Sequence, residues 1–337
     1  MARRGWGVSQ RAARQLLLAD VGGTHVRLRA VGAGGEVRSE AGEVGAGTGV
    51  GSLTALMEEL ASFCRRVGLS PSEWPRGTRV VVTGRAVPWS REVGEGTEGL
   101  ASFAGARSLT LVPDGIAGYV ACLGGSPGVV VTVGTGTIAV AVGYEGQVRR
   151  LDGWGPLLGD VGSGYRVGLE GLISACRCAD GSRGGSRLLL EAAVERFGRL
   201  EELPKVLTAQ SRLRDIARFA EQVVTAARMG DVASARILDR AARELAELAT
   251  DAAKLVSESP GLPIVIGGGF VAAVPELQQR LAAWFAENSA RVPLVAPRSS
   301  ALDGCYEIAV RGVPLPFAHW VSELAKGWVA CEAEEVE

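Results

Sequence analysis

Two short turns in this 337-residue chain combine residue types suited to anion chemistry. The first is Asp20-Val21-Gly22-Gly23-Thr24, which separates the apolar run Leu16, Leu17, Leu18, Ala19 from the alternating Val26, Leu28 and Ala30. The second is Gly134-Thr135-Gly136-Thr137, set between two apolar runs at 128–133 and 138–143. A turn stripped of side chains lets backbone N–H groups approach an anion closely, and threonine adds a hydroxyl donor. Phosphate fits such a turn. The Asp20 carboxylate would repel bare phosphate, so it makes sense with a cation such as Mg2+ between them, directly or through water. One turn of this kind is explained as well by hairpin geometry, with glycine for its φ and aspartate as a turn former. Two turns in matching positions weigh toward phosphate.

Two further acids stand out. Asp114 closes the run 109–113 (LTLVP), and no charged residue follows it until Glu145. The C-terminal edge of an α/β sheet is where ligands collect. A carboxylate there can accept a hydroxyl proton during phosphoryl transfer, or it can cap a helix over 116–122. In GWGPLLGDVGSGYRVG, residues 153–168, Gly153, Gly155, Gly159, Gly162 and Gly164 frame Trp154 and Asp160. That composition suits a polar ring-bearing ligand such as a sugar, and equally an irregular loop capped by Asp160 ahead of a helix near Tyr165. Other nucleotide motifs drop out. No lysine follows a glycine, so there is no P-loop, and the G-x-G-x-x-G at Gly94, Gly96 and Gly99 follows WSREV rather than an apolar strand.

The elements that must position these residues read as mixed α/β. Hairpins are expected over 16–38 and 128–143, with strands at 79–83, 109–113 and 263–266. An amphipathic helix over 53–67 carries Leu53, Leu56, Leu60 and Phe63 on one stripe. Helices dominate after Gly164: 170–178, 187–197, 213–229 and a long one over 232–256, with Asp231 as N-cap. The strand before Gly267, Gly268 and Gly269 leads into another helix through Leu277, Leu281 and Phe285. LLLADVGGTHVRLRAV and VVVTVGTGTIAVAV repeat one strand–turn–strand pattern, which predicts two like-folded halves whose turns hold the two ends of one ligand.

Composition bounds the class. A net charge of -1, with 22% charged and 47% hydrophobic residues, argues for a large core and against nucleic acid or an acidic membrane as partner. The arginines at 3, 4, 11 and 14 read as a short solvated tail. The uncharged stretch 115–144 is long enough to span a bilayer, but its glycines and threonines favour two buried strands around a turn. The expectation is a soluble protein. Six scattered cysteines and two histidines lack metal-site spacing; Cys176 and Cys178 do not face one way on a helix.

With these residues in view, the chain resembles the BadF/BadG/BcrA/BcrD-type ATPase and N-acetylglucosamine kinase family of the actin-like sugar kinase superfamily. The resemblance runs from Leu16 to about Gly312, in order, and includes AARMGDVASARILDRAARELAEL and VIGGGF. It implies a two-domain, actin-like (ribonuclease H-like) fold with ATP in the cleft between the domains. Residues 15–121 would form the first domain, completed by a C-terminal helix over 315–330, and 122–314 the second. Asp114 would be the general base, and Asp20 would hold the water shell of Mg2+. Gly22, Gly23, Thr24, Thr135, Gly136 and Thr137 would take phosphates; Gly267, Gly268 and Gly269 would line adenosine. Gly153, Thr135, Asp160 and Gly164 match positions that lie against the hexosamine in the family's sugar kinases.

The implied activity is ATP-dependent phosphorylation of N-acetylglucosamine to its 6-phosphate, by a cytoplasmic homodimer with an amino sugar as its small-molecule partner. The alternatives are another amino sugar (glucosamine, N-acetylmannosamine, N-acetylmuramic acid), or an ATPase acting as activator or sugar sensor. An activator bridges a cluster through cysteines, which Cys176 and Cys178 do not resemble. The chain departs from the family pattern at Val161, where a second carboxylate is usual, and at Pro113, where Asn or Thr is common. It also departs at 45–49, which lacks an expected sugar-binding Asn, and at Arg85, where a small residue is common.

Overall fold

The computed structural model describes residues 15–22, 25–32, 35–43, 52–69, 77–90, 103, 106–207, 213–257, 261–288, 294–295 and 300–325. Gly23, Thr24, the N-terminal arginines, the 45–49 segment and the G-x-G-x-x-G at 94–99 lie outside them.

The repeated hairpin is the seed of two sheets with one topology. In the first, β1 (Leu16–Val21), β2 (His25–Val31) and β3 (Val37–Glu43) are antiparallel neighbours. On the other side of β1 lie β4 (Arg79–Gly84) and β5 (Ser108–Pro113), both parallel to it. In the second sheet β6 (Gly128–Val133), β7 (Thr137–Val142) and β8 (Val148–Asp152) form the same antiparallel trio. Parallel β9 (Ile264–Gly267) and β10 (Leu294–Val295) follow beside β6. The shared order, 3-2-1-4-5 counted within each sheet, makes the predicted duplication a property of the fold.

Three layers of apolar packing hold the sheets. Helix α1 (Leu53–Arg66) covers the outer face of the first sheet with Leu56, Met57, Leu60 and Phe63. It starts where the Ser52 hydroxyl accepts the Ala55 N–H at 3.2 Å, an N-cap that satisfies one orphan donor. The outer face of the second sheet is covered by α3 (Gly164–Ala179), α7 (Ala220–Arg228), α8 (Val232–Lys254) and α10 (Pro275–Asn288). Asp231 caps α8 through the Ser234 N–H at 2.8 Å. Of the helical stripe Ile237, Leu238, Ala241, Leu245, Leu248, Ala252 and Leu255, the buried face of α8 keeps Ile237, Leu238, Ala241, Leu245 and Ala252, while Leu255 at the helix end is exposed. Between the sheets lies a shared layer of two helices, α2 (Asp114–Leu123) and α11 (Ala301–Arg311). Ile116, Tyr119, Leu302 and Cys305 pack there with Leu18 and Val81 of one sheet and Val130, Val140 and Val265 of the other. Asp114 is the first residue of α2, so this layer fixes its position.

Some elements differ from expectation. Residues 315–325 are not helical: a 3-10 turn at Leu315–Phe317 leads into β11 (Ser322–Ala325), which pairs antiparallel with β5 at the edge of the first sheet. The helix expected over 213–229 is two pieces, α6 (Leu213–Arg218) and α7, parted at the buried Phe219. The strands β3 and β8 were not read as elements of their own. Among the described residues no helix is long and apolar enough to cross a membrane.

Candidate active site

The sheets bring strand ends of both lobes together, as the approach of Arg85 to Asp160 shows. Asp20 is the penultimate residue of β1, in register with Thr83 of β4 and with Arg27 of β2. Its carboxylate is mostly buried, with 15% of the side chain exposed, and Arg27 approaches it at 3.4 Å. Burial, aided by the nearby negative charge of Asp114, pushes Asp20 from its ordinary 3.8 up to about 6, against the pull of Arg27. The Thr83 hydroxyl, fully buried next in register, has no hydrogen-bond partner among the described residues. Gly22 begins the first turn by donating its N–H to the His25 carbonyl at 2.9 Å.

A pH dependence follows. Asp20 holds its proton more tightly in the folded chain, so the stability it contributes is complete below about pH 4 and lost as pH rises through about 6. The full loss amounts to about 3 kcal/mol. Asp20→Asn is therefore expected to melt higher than the parent protein at pH 7.5 and to lose most of that advantage at pH 4, measured by thermal denaturation without nucleotide. An equal difference at both pH values would contradict the burial of an ionised carboxyl.

Asp114 sits half-buried at the start of α2, where its Oδ1 accepts the Gly115 N–H at 2.7 Å. Burial raises its pKa, opposed by the Gly115 N–H and by the positive charges of Arg85 and Arg150. Arg85, just beyond β4, reaches across to the other lobe, with Nη2 3.8 Å from Asp160 Oδ2. Asp20, Asp114, Arg85 and Asp160 therefore form one electrostatic group.

The second turn is bound into the 153–168 loop. Gly134 donates to the Gly136 carbonyl at 2.8 Å, while the carbonyls of Gly134 and Thr135 accept the N–H groups of Gly164 and Tyr165 at 2.9 and 3.1 Å. The first turn of α3 thus packs on the turn, with Gly164 as its first residue. Asp160 Oδ1 accepts the Thr137 N–H at 3.1 Å and leaves no room at position 136, where a Cβ would lie 2.7 Å from it. The N–H groups of Thr135 and Gly136 have no partner among the described residues, and the buried Thr137 hydroxyl has none either. These are unspent donors around a side-chain-free cradle.

Asp160 is only 3% exposed, and at φ 59 it occupies the left-handed region that side chains avoid. Asp152, itself at φ 58, holds it there: its carboxylate accepts the N–H groups of Asp160 and Val161 at 2.8 and 2.9 Å. Burial raises the pKa of Asp160, opposed by the Thr137 N–H and Arg85. Gly153 accepts from Arg150 at 2.8 Å, and the Arg150 guanidinium lies 5.3 and 5.4 Å from the rings of Trp89 and Trp154. Beside the turn, β9 ends at Gly267, in register with Thr132 of β6. Gly268 has φ 104, and a Cβ there would meet the Val133 carbonyl oxygen at 2.5 Å; Gly269 next to it opens onto free space. Only glycine fits position 268.

The sequence-derived set is thus largely gathered: Asp20, Gly22, Asp114, the 134–137 turn, Gly153, Asp160, Gly164 and the 267–269 loop share one region. Residue-by-residue reading of the sequence misses Thr83, Trp89, Arg150 and Asp152, and marks Arg85 only as a departure from the family pattern. The sequence signal for Asp152 was its place directly before Gly153, at the end of a strand.

The BadF/BadG/BcrA/BcrD ATPase family model matches residues 19–305. The chain is 27% identical over 187 residues to an N-acetylmuramic acid/N-acetylglucosamine kinase of Clostridium acetobutylicum, covering 54% of this chain and 60% of that protein. It is 32% identical over 148 residues to an N-acetyl-D-glucosamine kinase of Dictyostelium discoideum, covering 42% and 46%. The matches therefore span about half the length of these curated relatives. A solved structure from Chromobacterium violaceum, provisionally assigned as an N-acetylglucosamine kinase, shares the fold with a TM-score of 0.60 and 24% identity over 87% of this chain and 97% of that one. The common architecture is the two-sheeted, actin-like one.

Proposed function

The chain belongs to the BadF/BadG/BcrA/BcrD ATPase family, and on that premise we propose that it phosphorylates an N-acetylhexosamine with ATP, converting N-acetylglucosamine to N-acetylglucosamine 6-phosphate. The observation that carries this reading is the position of Asp114: a carboxylate at the start of α2, held by the Gly115 N–H, whose charge acts on Asp20 and which is itself acted on by Arg85, the residue that reaches Asp160. The names of the two curated relatives support an amino sugar as acceptor.

In this reading Asp114 accepts the proton of the attacking sugar hydroxyl, its basicity raised by burial and its orientation held by the Gly115 N–H. The free N–H groups of Thr135 and Gly136 and the Thr137 hydroxyl bind transferring phosphate oxygens, where preorganised donors act most strongly. Gly22, Gly23 and Thr24 take the phosphates from the other side, and Gly267, Gly268 and Gly269 receive the adenosine. Gly153, Thr135, Asp160 and Gly164 bound the sugar; Asp160, fixed by Asp152, sets the register between sugar loop and phosphate turn. The residues present fit a hydrated Mg2+: Asp20 is a mostly buried carboxylate whose ion pair with Arg27 is long, at 3.4 Å, beside a Thr83 hydroxyl with no partner among the described residues. Such an ion would neutralise phosphate charge as the transfer proceeds. Closure of the two lobes over the cleft excludes water and so limits idle ATP hydrolysis. We place the enzyme in the cytoplasm as a homodimer.

The test is ADP release measured over glucosamine, N-acetylglucosamine, N-acetylmannosamine and N-acetylmuramic acid. Turnover that requires an amino sugar supports the kinase. ATP hydrolysis at the same rate with and without sugar points to an ATPase of the activator or sensor type.

A further inference from the structure

We propose that Arg150 is a positioning residue for Asp114: it ties the 153–168 loop of the second lobe to Trp89 of the first, and Trp89 in turn seats the start of α2. The role it assigns to Arg150 in catalysis rests on the kinase reading above. Strand register puts Arg150 on the inner side of its sheet, because it pairs directly with Val140, which packs in the shared helical layer. From there its guanidinium lies 5.3 Å from the Trp89 ring and 5.4 Å from the Trp154 ring, and Nη2 donates to the Gly153 carbonyl at 2.8 Å. One cation thus joins an aromatic ring of each lobe to the start of the loop. Trp154 is 69% exposed, so stacking on Arg150, and not burial in a core, holds the loop there.

Trp89 is fixed from its own side. Its ring meets Trp320 edge-on at 6.0 Å, and the carbonyl of the next residue, Ser90, accepts the Ser322 hydroxyl at 3.2 Å. The ring also rests on α2: a Cβ at Gly115 would stand 3.0 Å from Trp89 Cζ2, 3.0 Å from Val140 Cγ2 and 3.1 Å from Ile138 Cδ1. Gly115 is the residue whose N–H orients the Asp114 carboxylate. With no side chain at 115, Trp89 of one lobe and β7 of the other close on the backbone beside Asp114. A guanidinium is planar and always charged, so it holds the two rings in a geometry that lysine meets only in part. Arg150 also acts on Asp114 through its charge, and the experiment separates that charge from the link through Trp89.

The test combines sugar-phosphorylation kinetics with hydrogen exchange on the full-length protein, Arg150→Met, Trp89→Leu and the double variant. Each single change is expected to lower kcat about 10–100-fold, as a displacement of up to about 1 Å in a reacting group does, with KM for ATP unchanged. The double variant should be no worse than either single one, because both cut the same link. Arg150→Lys should recover part of the lost kcat. Backbone exchange over 115–120, measured without substrate, should quicken in Arg150→Met and Trp89→Leu alike. A normal kcat in Trp89→Leu beside a low one in Arg150→Met would leave only the charge and overturn the proposal. A raised sugar KM at unchanged kcat, losses that multiply in the double variant, or unchanged exchange over 115–120 would overturn it too. Arg150 is exposed, so if Trp89→Leu misfolds, Arg150→Met and its lysine counterpart still decide. If the unaltered protein phosphorylates no sugar, the kinase reading fails, and the exchange comparison decides by itself whether Arg150 seats α2.

Discussion

Asp114→Asn is expected to lower kcat for sugar phosphorylation by about 10²–10⁴-fold, the usual contribution of a positioned general base. The substitution is nearly isosteric, and the asparagine oxygen can still accept the Gly115 N–H that orients the native side chain at 2.7 Å. Start of α2, shared helical layer and strand register should all persist. Asparagine cannot take a proton from the sugar hydroxyl. If Asp114 acts on that proton, the loss appears in kcat and kcat/KM together, the signature of an interaction made only in the transition state. ATP affinity should change little, because the donors assigned to phosphate lie in the two turns and not on α2. The variant also removes a negative charge beside Asp20, so the pKa of Asp20 should fall from about 6. ADP-release kinetics with and without sugar, together with nucleotide titration, check the prediction. A large loss of nucleotide affinity with little change in kcat would assign Asp114 to nucleotide binding and remove the proposed mechanism.

Much of this arrangement was legible because it is written in local sequence. Each hairpin announces its turn through consecutive small residues, and the second copy, more than a hundred residues on, repeats the first. The duplicated strand order follows from that repetition. The elements that escaped are those whose state is set by partners. Strands β3 and β8 carry VRSEAGE and VRRLD, largely polar and exposed because they lie on sheet edges, so they show no alternation. Residues 322–325 look helical in isolation and become a strand because β5 offers an unpaired edge. Arg85 and Asp160 are 75 positions apart, and neither suggests the other until the lobes meet. Asp152 resembles a turn former; its work is to hold two N–H groups eight and nine residues on. Thr83 is an ordinary strand threonine in sequence, and only burial makes its unpaired hydroxyl informative.

Gly304→Ala should be among the most damaging single methyl groups added outside the cleft. Gly304 lies on α11 where that helix crosses α2, and a Cβ there would stand 1.9 Å from the Ala117 carbonyl oxygen and 3.1 Å from the Ala121 nitrogen. Those are backbone atoms of an adjacent helix, so no rotamer change relieves the overlap. The helices must separate, in a layer whose other contacts, Ile116, Tyr119 and Cys305 among them, are fully buried. Interiors packed at crystal-like density yield to such a shift at high cost, about 2–4 kcal/mol here. Thermal denaturation should show a drop of about 5–10 °C. The consequence for function is separable from the loss of stability. Ala117 lies one helical turn beyond Asp114, so the displacement moves the general base relative to the second phosphate turn, which is anchored on the other sheet. Assayed well below its melting temperature, the variant should therefore keep its affinity for ATP and lose kcat, since a shift of about 1 Å in a reacting group costs around 10²-fold. A variant that melts with the parent protein would show that the two helices are not in the close contact on which the position of Asp114 depends.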